Sequence, residues 1–510
     1  MLCYTFSRDL SSNCKGERIL LSIVEETRLN LSKETDPKHK TLYGQYFTSE
    51  NTAKFMASLF SEISNSCRLL DAGAGVGSLS VAFIERWING ELNFDEVKVD
   101  AFEVDKRLHG YLSTSLGQYE SSKDFSVNIW GNDFIDSAVS ALSKNTASSS
   151  LPIYTHAILN PPYKKIKNTS THRNLLRQVG IETVNLYSAF VALALALLES
   201  KGELVAIIPR SFCNGPYYYP FRRYLLDNSS IRHIHLFKAR DKAFKDDEVL
   251  QENVIILLER NGFQDNVKVS TSTDNTFADM QTYTYPFSKI VFPDDAASFI
   301  HIPLSPEKSV IEKTPTIRYT LSDLDIKVST GPVVDFRVKN HLHLLPTHNT
   351  VPLLYPVHFT SNGLSWPLEG MKKSNAIEIC SETEKWLYPI GFYCVVRRFS
   401  SKEEKRRIVA NVVDPSTFAN VSRLGFENHL NVFHQNKQGL QPALAYGLTA
   451  FLNTVAVDTY FRRFSGHTQV NASDLKQLKY PSSKVLIQVG KLIMNNKLPD
   501  KELIEKNLGL

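Results

Sequence analysis

A short apolar strand that runs directly into a glycine-rich loop and then into a helix is the feature that most constrains how this 510-residue chain folds. The strand is predicted over Arg68–Leu70, the loop Asp71–Gly77 reads Asp-Ala-Gly-Ala-Gly-Val-Gly, and an amphipathic helix is predicted over Ser78–Trp87. Glycines at such a junction let the backbone approach a ligand closely, while the first N–H groups of the helix point at it. The junction therefore favours an open α/β sheet with a ligand at the carboxyl ends of its strands.

Predicted strands and helices alternate on both sides of this junction. Further strands are predicted over Lys98–Phe102, Ser126–Trp130, Ala157–Leu159 and Glu203–Ile208. Helices are predicted over Arg18–Leu31, Glu50–Leu59 and Leu186–Leu198. This alternation predicts an α/β fold, in which a parallel sheet carries helices on both faces.

The pattern of predicted elements and the composition change near residue 300. Before this point strands alternate with helices, whereas after it the alternation is irregular and prolines and histidines accumulate. A chain of this length is too long for one ordinary domain. We therefore predict a helical N-terminal extension over residues 1–40, an α/β domain over 41–300 and a mixed α+β domain over 301–510.

Composition limits the partners and the compartment. The formal net charge of +5 permits a nucleic-acid partner without demanding one. Six cysteines lie scattered without a zinc or disulfide spacing, which favours reduced thiols in the cytoplasm. Residues 1–10 lack the apolar core of a secretory signal, and the longest apolar run, Ala189–Leu198, is about half as long as a membrane span. We expect a cytoplasmic protein without a membrane partner.

Acidic residues follow the first three strands. Asp71 stands at the mouth of the glycine loop, where its charge would repel a pyrophosphate, so the pattern disfavours a dinucleotide and favours a cationic or zwitterionic ligand such as S-adenosylmethionine. Glu103, after the second strand, is placed to accept hydrogen bonds from ribose hydroxyls. Asp133, after the third strand, is placed to accept from an adenine amino group, with Phe134 beside the ring. Taken singly, each of these acids has a simpler explanation as a helix cap.

The fourth strand ends in Asn160-Pro161-Pro162-Tyr163. The two prolines restrict the backbone, so the side-chain and backbone oxygens of Asn160 face outward in one geometry. Two acceptors beside an aromatic plate suit the binding of a planar amino group, of which adenine carries one. A turn after a strand is the alternative explanation of the same four residues.

In this order the motifs resemble those of the amino-group DNA methyltransferases of bacterial restriction–modification systems. Gly44–Thr48 looks like the family's N-terminal cofactor motif, Asp71–Gly77 like its S-adenosylmethionine loop, and Asn160–Tyr163 like the catalytic motif of the N6-adenine subgroup. The order of these segments is that of the gamma class, in which the cofactor motifs come first, the catalytic motif next and a long C-terminal extension last. Segments Arg397–Arg407 and Ser465–Asn471 are similar to type II methylases of the PstI/BsuBI kind.

The resemblance implies a Rossmann-like S-adenosylmethionine-dependent methyltransferase domain over 41–300 and a DNA target-recognition domain over 301–510. The implied cofactor contacts are Tyr46, Thr48, Asp71, Gly73, Gly75, Gly77, Glu103, Asp133 and Phe134. The implied catalytic residues are Asn160, Pro161, Pro162, Tyr163 and Phe244. Phe244 belongs to the segment Phe237–Glu259, which resembles a later motif whose aromatic residue contacts the flipped base. The implied reaction is N6 methylation of a flipped-out adenine in double-stranded DNA by a monomer, which protects host DNA from a cognate restriction endonuclease.

Basic residues indicate where DNA is expected to lie. The candidates are Lys164, Lys165, Lys167, Arg397, Arg398 and Lys402. The last three belong to the densest basic cluster, for which a solvated face paired with neighbouring glutamates is an equal alternative. His341, His343 and His348 lack acidic or cysteine companions at ligand spacing, so no metal site is predicted.

Other functions share part of these features. Cytosine-N4 methyltransferases form the sister subgroup, which more often has serine in place of Asn160. Protein-glutamine methyltransferases share the four-residue motif because a glutamine amide is also planar, but they are small and lack a long C-terminal extension. A non-catalytic nucleic-acid-binding protein with the same fold would not need Asp71, Glu103, Asp133 and Asn160 together. No nuclease domain is predicted in the first 40 residues.

Overall fold

The computed structural model of the chain describes residues 17–36, 46–122, 124–143, 151–238, 252–293, 295–303, 309–360, 363–400, 404–463, 469–495 and 500–510. Contacts divide the chain into two compact units, the first with residues 1–213 and 217–304 and the second with residues 214–216 and 305–510. The division after residue 304 lies close to the boundary expected near residue 300.

The first unit is built around one nine-stranded sheet. Its strands are β1 Ser66–Ala72, β2 Glu96–Phe102, β3 Phe125–Trp130, β4 Tyr154–Leu159, β5 Leu198–Pro209, β6 Ser229–Phe237, β7 Asn253–Arg260, β8 Val267–Ser272 and β9 Gln281–Tyr285. Their order across the sheet is β3-β2-β1-β4-β5-β7-β6-β8-β9. Strands β1 to β5 pair in parallel, whereas β7 runs antiparallel to both β5 and β6. The sheet that was predicted to be parallel is therefore mixed. The sequence did not predict this, because hydrophobic periodicity reports which face a strand buries and carries no information on its direction.

Helices cover both faces of this sheet. They are α1 Glu17–Glu34, α2 Glu50–Ser58, α3 Ser78–Ile88, α4 His109–Gly117, α5 Phe134–Leu142, α6 Thr171–Gln178, α7 Leu186–Leu197 and α8 Tyr219–Asn228. Side chains of α1 to α4 share one core with Leu69, and side chains of α5 to α8 share another with Leu70. Because neighbouring residues of a strand face opposite ways, these two cores lie on opposite faces of the sheet.

Helix α1 packs into the first unit. Leu21 and Val24 are buried in the same core as α3, and the Leu21 N–H donates to the Glu85 carboxylate at 3.2 Å. The helix predicted as an N-terminal extension thus contributes to the core of the first unit.

The second unit contains short strands followed by helices. Its strands are β10 Lys327–Thr330, β11 Leu342–His343, β12 Thr350–Leu354, β13 Phe359–Thr360, β14 Gly363–Leu364, β15 Ala376–Glu378, β16 Tyr388–Pro389, β17 Tyr393–Arg397, β18 Ala410–Val413, β19 Arg423–Phe426 and β20 Leu430–His434. Its helices are α9 Val310–Lys313, α10 Pro442–Leu452, α11 Val455–Arg462, α12 Ala472–Gln477, α13 Ser483–Asn495 and α14 Lys501–Leu508. The strands form sheets in the orders β10-β20-β17-β18, β11-β15-β12-β19-β16 and β13-β14.

Two glycines bring helices α10 and α13 into close contact. A Cβ atom on Gly447 would lie 1.8 Å from the Leu486 carbonyl oxygen, and one on Gly490 would lie 1.7 Å from that of Ala443. Larger residues would force these helices apart. Among the described helices of both units, none is long and apolar enough to cross a membrane.

Candidate functional site

A cavity of about 800 Å³, including the space at its open mouth, lies where β1, β2, β3 and β4 end. Its lining of aromatic and apolar side chains with a few polar groups suits a small-molecule ligand. The lining residues are Tyr46, Phe47, Thr48, Gly73, Ala74, Gly75, Val76, Ser78, Leu79, Phe102, Glu103, Val104, Asn132, Asp133, Phe134, Asn160, Pro162 and Phe190. The cavity therefore joins the four strand ends at which the sequence places polar residues, as expected for an open α/β sheet.

The glycine loop forms one wall of the cavity. Gly73 and Gly75 have φ angles of +87° and +58°, a region that residues with a side chain rarely adopt. A Cβ atom on Gly75 would lie 3.4 Å from the Phe47 ring, and one on Gly73 would lie 3.7 Å from the Asn160 carbonyl oxygen. Both glycines thus keep the backbone close to the ligand space. Gly77 does not line the cavity, and a Cβ atom there would lie 3.1 Å from Leu112 of helix α4.

Glu103 connects the end of β2 to the glycine loop. Its Oε2 accepts a hydrogen bond from the Gly75 N–H at 2.9 Å, and its Oε1 accepts one from the Asp105 N–H at 2.7 Å. Burial raises the pKa of Glu103, and these two bonds oppose that effect. A carboxylate has about four acceptor positions, so Glu103 retains the capacity to accept from ligand hydroxyls.

Asp71 lies below the cavity surface instead of at the loop mouth. Its side chain is fully buried, does not line the cavity, and accepts a hydrogen bond at Oδ2 from the Ser80 hydroxyl at 2.6 Å. Its Oδ1 is buried and has no hydrogen-bond partner among the described residues, and burial raises the pKa of the carboxyl group to about 7. The structure thus corrects the expectation that this charge faces the ligand directly, because Asp71 instead anchors the first turn of α3.

Asp133 both lines the cavity and caps helix α5. Its Oδ1 accepts from the N–H groups of Ile135 and Asp136 at 2.8 and 3.3 Å, which is the simpler explanation weighed above for a strand-end acid. Its Oδ2 lies 3.1 Å from His172 Nε2. Burial opposes ionisation of Asp133, but the bond to His172 and the cap outweigh it and lower the pKa of the carboxyl group. The same bond raises the pKa of His172, a contact that no sequence motif indicates.

Asn160 is held in one orientation at the end of β4. Its Nδ2 donates to the Tyr46 carbonyl oxygen at 2.7 Å and to the Thr48 hydroxyl oxygen at 2.9 Å. A carbonyl oxygen only accepts hydrogen bonds, so the contact with Tyr46 identifies the amide nitrogen without ambiguity. Within the described residues no donor contacts Oδ1, which therefore stays available as an acceptor beside the cavity.

The rest of the four-residue motif is divided between the cavity and the core. Pro162 lines the cavity, whereas Pro161 is buried and Tyr163 is half-buried and not among the lining residues. The Tyr163 hydroxyl donates to the Ile207 carbonyl oxygen at 3.1 Å, and its ring centroid lies 5.5 Å from that of Tyr46. Phe244, the other aromatic residue predicted to contact a base, lies outside the described residues.

Three aromatic side chains of the cavity wall were not among the predicted cofactor contacts. Phe47 lies inside the predicted cofactor motif Gly44–Thr48, whereas Phe102 and Phe190 lie outside the predicted motifs. The Phe134 ring centroid lies 5.2 Å from that of Phe102 and 5.0 Å from that of Phe190. An aromatic residue inside a strand or a helix is usually core, so only the tertiary structure identifies Phe102 and Phe190 as parts of the site.

The lysines that follow the Asn160–Tyr163 motif are exposed on both sides of a buried residue. Lys164, Lys165 and Lys167 are exposed, whereas Ile166 is buried and its N–H donates to the Val184 carbonyl oxygen at 2.8 Å. This anchoring presents the three cations on the surface next to Asn160 in the chain.

The basic cluster of the second unit is partly neutralised. Arg397 forms an ion pair with Glu404, in agreement with the alternative of a charged face paired with glutamates. Arg407 is buried and donates through Nε to the Ser400 hydroxyl at 3.1 Å. Lys402 lies outside the described residues.

Arg398 belongs to a small partly exposed surface around Phe399. Its Nη1 donates to the Asn428 carbonyl oxygen at 3.1 Å and its Nη2 to the Gln469 side-chain oxygen at 3.3 Å. The Phe399 ring centroid lies 4.9 Å from the His429 ring centroid. We refer to Arg398, Phe399, His429 and Gln469 as the Phe399 surface.

Comparison with known proteins gives consistent matches across the chain. The model of the Eco57I restriction-modification methylase family matches residues 153–244. Over 480 residues the chain is 52% identical to the type II methyltransferase M.BsuBI of Bacillus subtilis, and this alignment covers 94% of this chain and 95% of that protein. It is 42% identical to the type II methyltransferase M.PstI of Providencia stuartii, with 91% of this chain and 92% of that protein covered.

A solved structure shares the fold over nearly the whole chain. The type IIL restriction-modification enzyme MmeI, determined in complex with DNA, aligns with a TM-score of 0.50 at 10% identity. The alignment covers 96% of this chain and 74% of that chain. At this identity the likeness concerns the fold alone.

Proposed function

Because the chain belongs to the type II methyltransferases of restriction–modification systems, which act on DNA with S-adenosylmethionine as methyl donor, we propose that it methylates the N6 amino group of adenine within a specific duplex sequence. The observation that carries this proposal is the orientation of Asn160. Both of its amide N–H groups are engaged by the protein, so its oxygen is left to accept from an amino group.

The residues of the cavity fit the cofactor. The glycine loop presents backbone without side chains at Gly73 and Gly75, and Glu103 offers carboxylate oxygens at the end of β2. Phe102 and Phe134 supply an apolar wall of the kind that accepts a planar ring. When bound, S-adenosylmethionine supplies an electrophilic methyl group.

Adenine N6 needs help from the protein because its lone pair is delocalised into the ring. We infer that the Asn160 Oδ1 and the Pro161 carbonyl oxygen accept the two N6 protons, which favours a pyramidal nitrogen and directs its lone pair toward the cofactor side of the site. The base must leave the duplex to reach these acceptors. Tyr163, held through its hydroxyl on β5, and Phe244 are the proposed aromatic contacts of the extruded base. Positioning of this kind supplies much of the rate in methyl transfer.

The two prolines support this role of Asn160 by fixing the backbone that follows it. Thr48 and Tyr46 support it by fixing the side chain, since each accepts one of the two amide N–H groups. Asn160 would therefore enter the reaction already oriented, without the cost of ordering it when the base arrives.

We propose that the second unit recognises the target sequence, and that the Phe399 surface is part of the contact with DNA. Arg398 and Gln469 are residue types that form paired hydrogen bonds with purine edges. The His429 Nδ1 lies 2.5 Å from Oε1 of the buried Glu427, a contact that fixes the ring. On the first unit, Lys164, Lys165 and Lys167 are proposed to neutralise phosphates, which orients DNA without reading its sequence.

Family membership also leads us to propose a cognate restriction endonuclease as the functional partner, and action as a monomer in the cytoplasm. Light scattering of the purified protein at micromolar concentration, with and without DNA, tests the monomer. A stable dimer would contradict it.

Transfer of labelled methyl from S-adenosylmethionine to unmethylated bacterial DNA, followed by digestion to nucleosides, tests the reaction. We expect label in N6-methyladenine, and sequencing of the methylated sites then gives the recognition sequence. Asn160→Ala should abolish transfer and leave cofactor affinity within about threefold of wild type, because Asn160 acts on the base. Asn128→Ala is the matched control, since this exposed residue of β3 donates to Asp100 and lies outside the cavity lining.

Other outcomes of the same assay contradict the proposal in distinct ways. Label in N4-methylcytosine would assign the chain to the sister subgroup. Cofactor binding without label in DNA would indicate another acceptor, such as a protein glutamine, or a non-catalytic binding protein. Near-normal turnover by Asn160→Ala would refute the role of the amide.

A further inference from the structure

Three side chains converge on His341 although they lie up to 41 residues away in sequence. Strand β11 pairs antiparallel with β15, so the residue before Leu342 comes to lie opposite Glu378 at the end of β15. His341 Nδ1 lies 3.1 Å from Glu378 Oε2 and 3.7 Å from Cys380 Sγ, and its Nε2 lies 2.9 Å from Glu382 Oε2. The structure thus corrects the expectation that this histidine lacks acidic and cysteine companions.

The donor atoms around Nδ1 have the spacing of a metal site. The nitrogen of His341, a carboxylate oxygen of Glu378 and the sulfur of Cys380 all lie within 4.8 Å of one another. Ligands placed at about 2.0–2.3 Å around a tetrahedral Zn²⁺ ion are separated from each other by roughly 3–4 Å. A small closing movement therefore brings the three atoms to ligand distance.

Glu382 holds the other side of the imidazole ring. Its carboxylate contacts Nε2, which leaves Nδ1 of His341 directed at Glu378 and Cys380. Histidines that bind metals almost always donate their second N–H to a carboxylate, carbonyl or water, an arrangement that fixes the tautomer and increases the basicity of the ligating nitrogen.

Cys380 supplies a sulfur donor, and metals bind it as the thiolate. The Thr383 hydroxyl lies 3.5 Å from Sγ and donates to the Glu378 carbonyl oxygen at 2.6 Å, so one side chain contacts both proposed ligand residues. The Thr383 N–H also donates to the Cys380 carbonyl oxygen at 3.1 Å, which closes a tight turn around the sulfur. Cys380 is half-buried, so an ion from solution can reach it.

We propose that His341, Glu378 and Cys380 form a binding site for a divalent transition metal in the second unit, with Zn²⁺ the best match to a nitrogen, oxygen and sulfur donor set. Glu382 is the positioning residue of this site, and water completes the coordination. The ion would tie the segment before β11 to the turn after β15, two parts of the chain that are distant in sequence. The proposal is independent of the proposed reaction on DNA.

Such an ion stabilises the folded chain by mass action, because the unfolded chain does not hold its ligands together. We therefore expect Zn²⁺ to raise the melting temperature of wild-type protein and to leave that of Cys380→Ser unchanged. His341 is otherwise explained as an imidazolium held between Glu378 and Glu382, which would bind no ion.

The test uses the full chain, purified without a metal-affinity tag and stripped with a chelator. Titration with Co²⁺ should give one equivalent bound, with the near-ultraviolet charge-transfer band of a thiolate ligand. Cys380→Ser should lose this band and His341→Ala should lose binding. Glu382→Gln should bind about 10- to 100-fold more weakly, as measured by Zn²⁺ competition. His343→Ala is the control, because this histidine lies on β11 and outside the cluster.

The circular-dichroism spectrum and the melting transition of each variant without metal confirm that it is folded, so that loss of metal is not mistaken for unfolding. Absence of one-equivalent binding by the wild-type chain at about 100 micromolar Zn²⁺, far above the dissociation constants usual for structural zinc, would overturn the proposal. An unchanged thiolate band in Cys380→Ser would also overturn it, since another cysteine would then be the ligand.

Discussion

The orientation of Asn160 depends on Thr48, and removing one hydroxyl tests whether that orientation matters for catalysis. Thr48→Val keeps the shape of the side chain and deletes the acceptor 2.9 Å from Asn160 Nδ2. One N–H of a partly buried amide is then left without a partner, which costs about 1–3 kcal/mol. If this cost falls on the oriented state that the reaction needs, kcat falls about 5- to about 150-fold.

The assay is steady-state methyl transfer to unmethylated DNA at saturating S-adenosylmethionine, with cofactor affinity measured separately by calorimetry. Thr48 also lines the cofactor cavity, so a small change in affinity is expected. Thr48→Ser restores the hydroxyl and should recover most of the activity. Thr114→Val, in which the lost hydroxyl donates to the Gly110 carbonyl oxygen on an exposed helix face, should behave as wild type.

An unchanged kcat in Thr48→Val would refute the reasoning, because it would mean that the contact with Tyr46 alone orients the amide. A fall in cofactor affinity equal to the fall in kcat/KM, with kcat unchanged, would also refute it. That pattern would place the effect of Thr48 in cofactor binding and not in the orientation of Asn160.

Further predictions concern the glycine loop, the buried acid below it and the second unit. Gly75→Ala should weaken S-adenosylmethionine binding about 10-fold by calorimetry, because the left-handed backbone at this position costs a residue with a side chain about 1–2 kcal/mol. Gly110→Ala is the control and should leave binding unchanged, because a Cβ atom there meets open space. Burial raises the pKa of Asp71 from 3.8 to about 7, so the folded state binds this proton more tightly than the unfolded state and loses stability as pH rises from about 4 to about 7. Asp71→Asn removes this loss. The difference in melting temperature between Asp71→Asn and wild type, measured without cofactor, should therefore move in favour of the variant between pH 5 and pH 8. A difference that does not change with pH would contradict the assignment. Arg398→Ala should weaken binding to the recognition sequence by about 1–3 kcal/mol in a fluorescence titration and leave non-specific binding unchanged. Arg423→Ala, which removes an ion pair with Glu384, serves as the control. An equal loss on all sequences would indicate a phosphate contact instead.

Local sequence patterns predicted most of the elements that place the site. Helix α3 was expected over Ser78–Trp87 and extends to Ile88, and helix α7 was expected to Leu198 and ends at Leu197. Strand β1 is longer than the apolar segment Arg68–Leu70, because a strand continues as long as its neighbours pair with it. The antiparallel direction of β7 was not predictable, since a strand buried on both faces has the same composition in either direction.

Sequence information likewise predicted some features of the candidate site and not others. The sequence by itself determined the glycine loop, the strand-end acids and the Asn-Pro-Pro-Tyr motif, because each is local and its chemistry follows from residue type and spacing. Only the tertiary structure decided that Asp71 is buried below the loop and that Asp133 shares its carboxylate between a helix cap and His172. It alone placed Glu378 and Cys380 beside His341, because the register between β11 and β15 is set by pairing across more than thirty residues of chain. Burial and long-range contacts depend on what the rest of the chain packs against each residue, and no short segment contains that information.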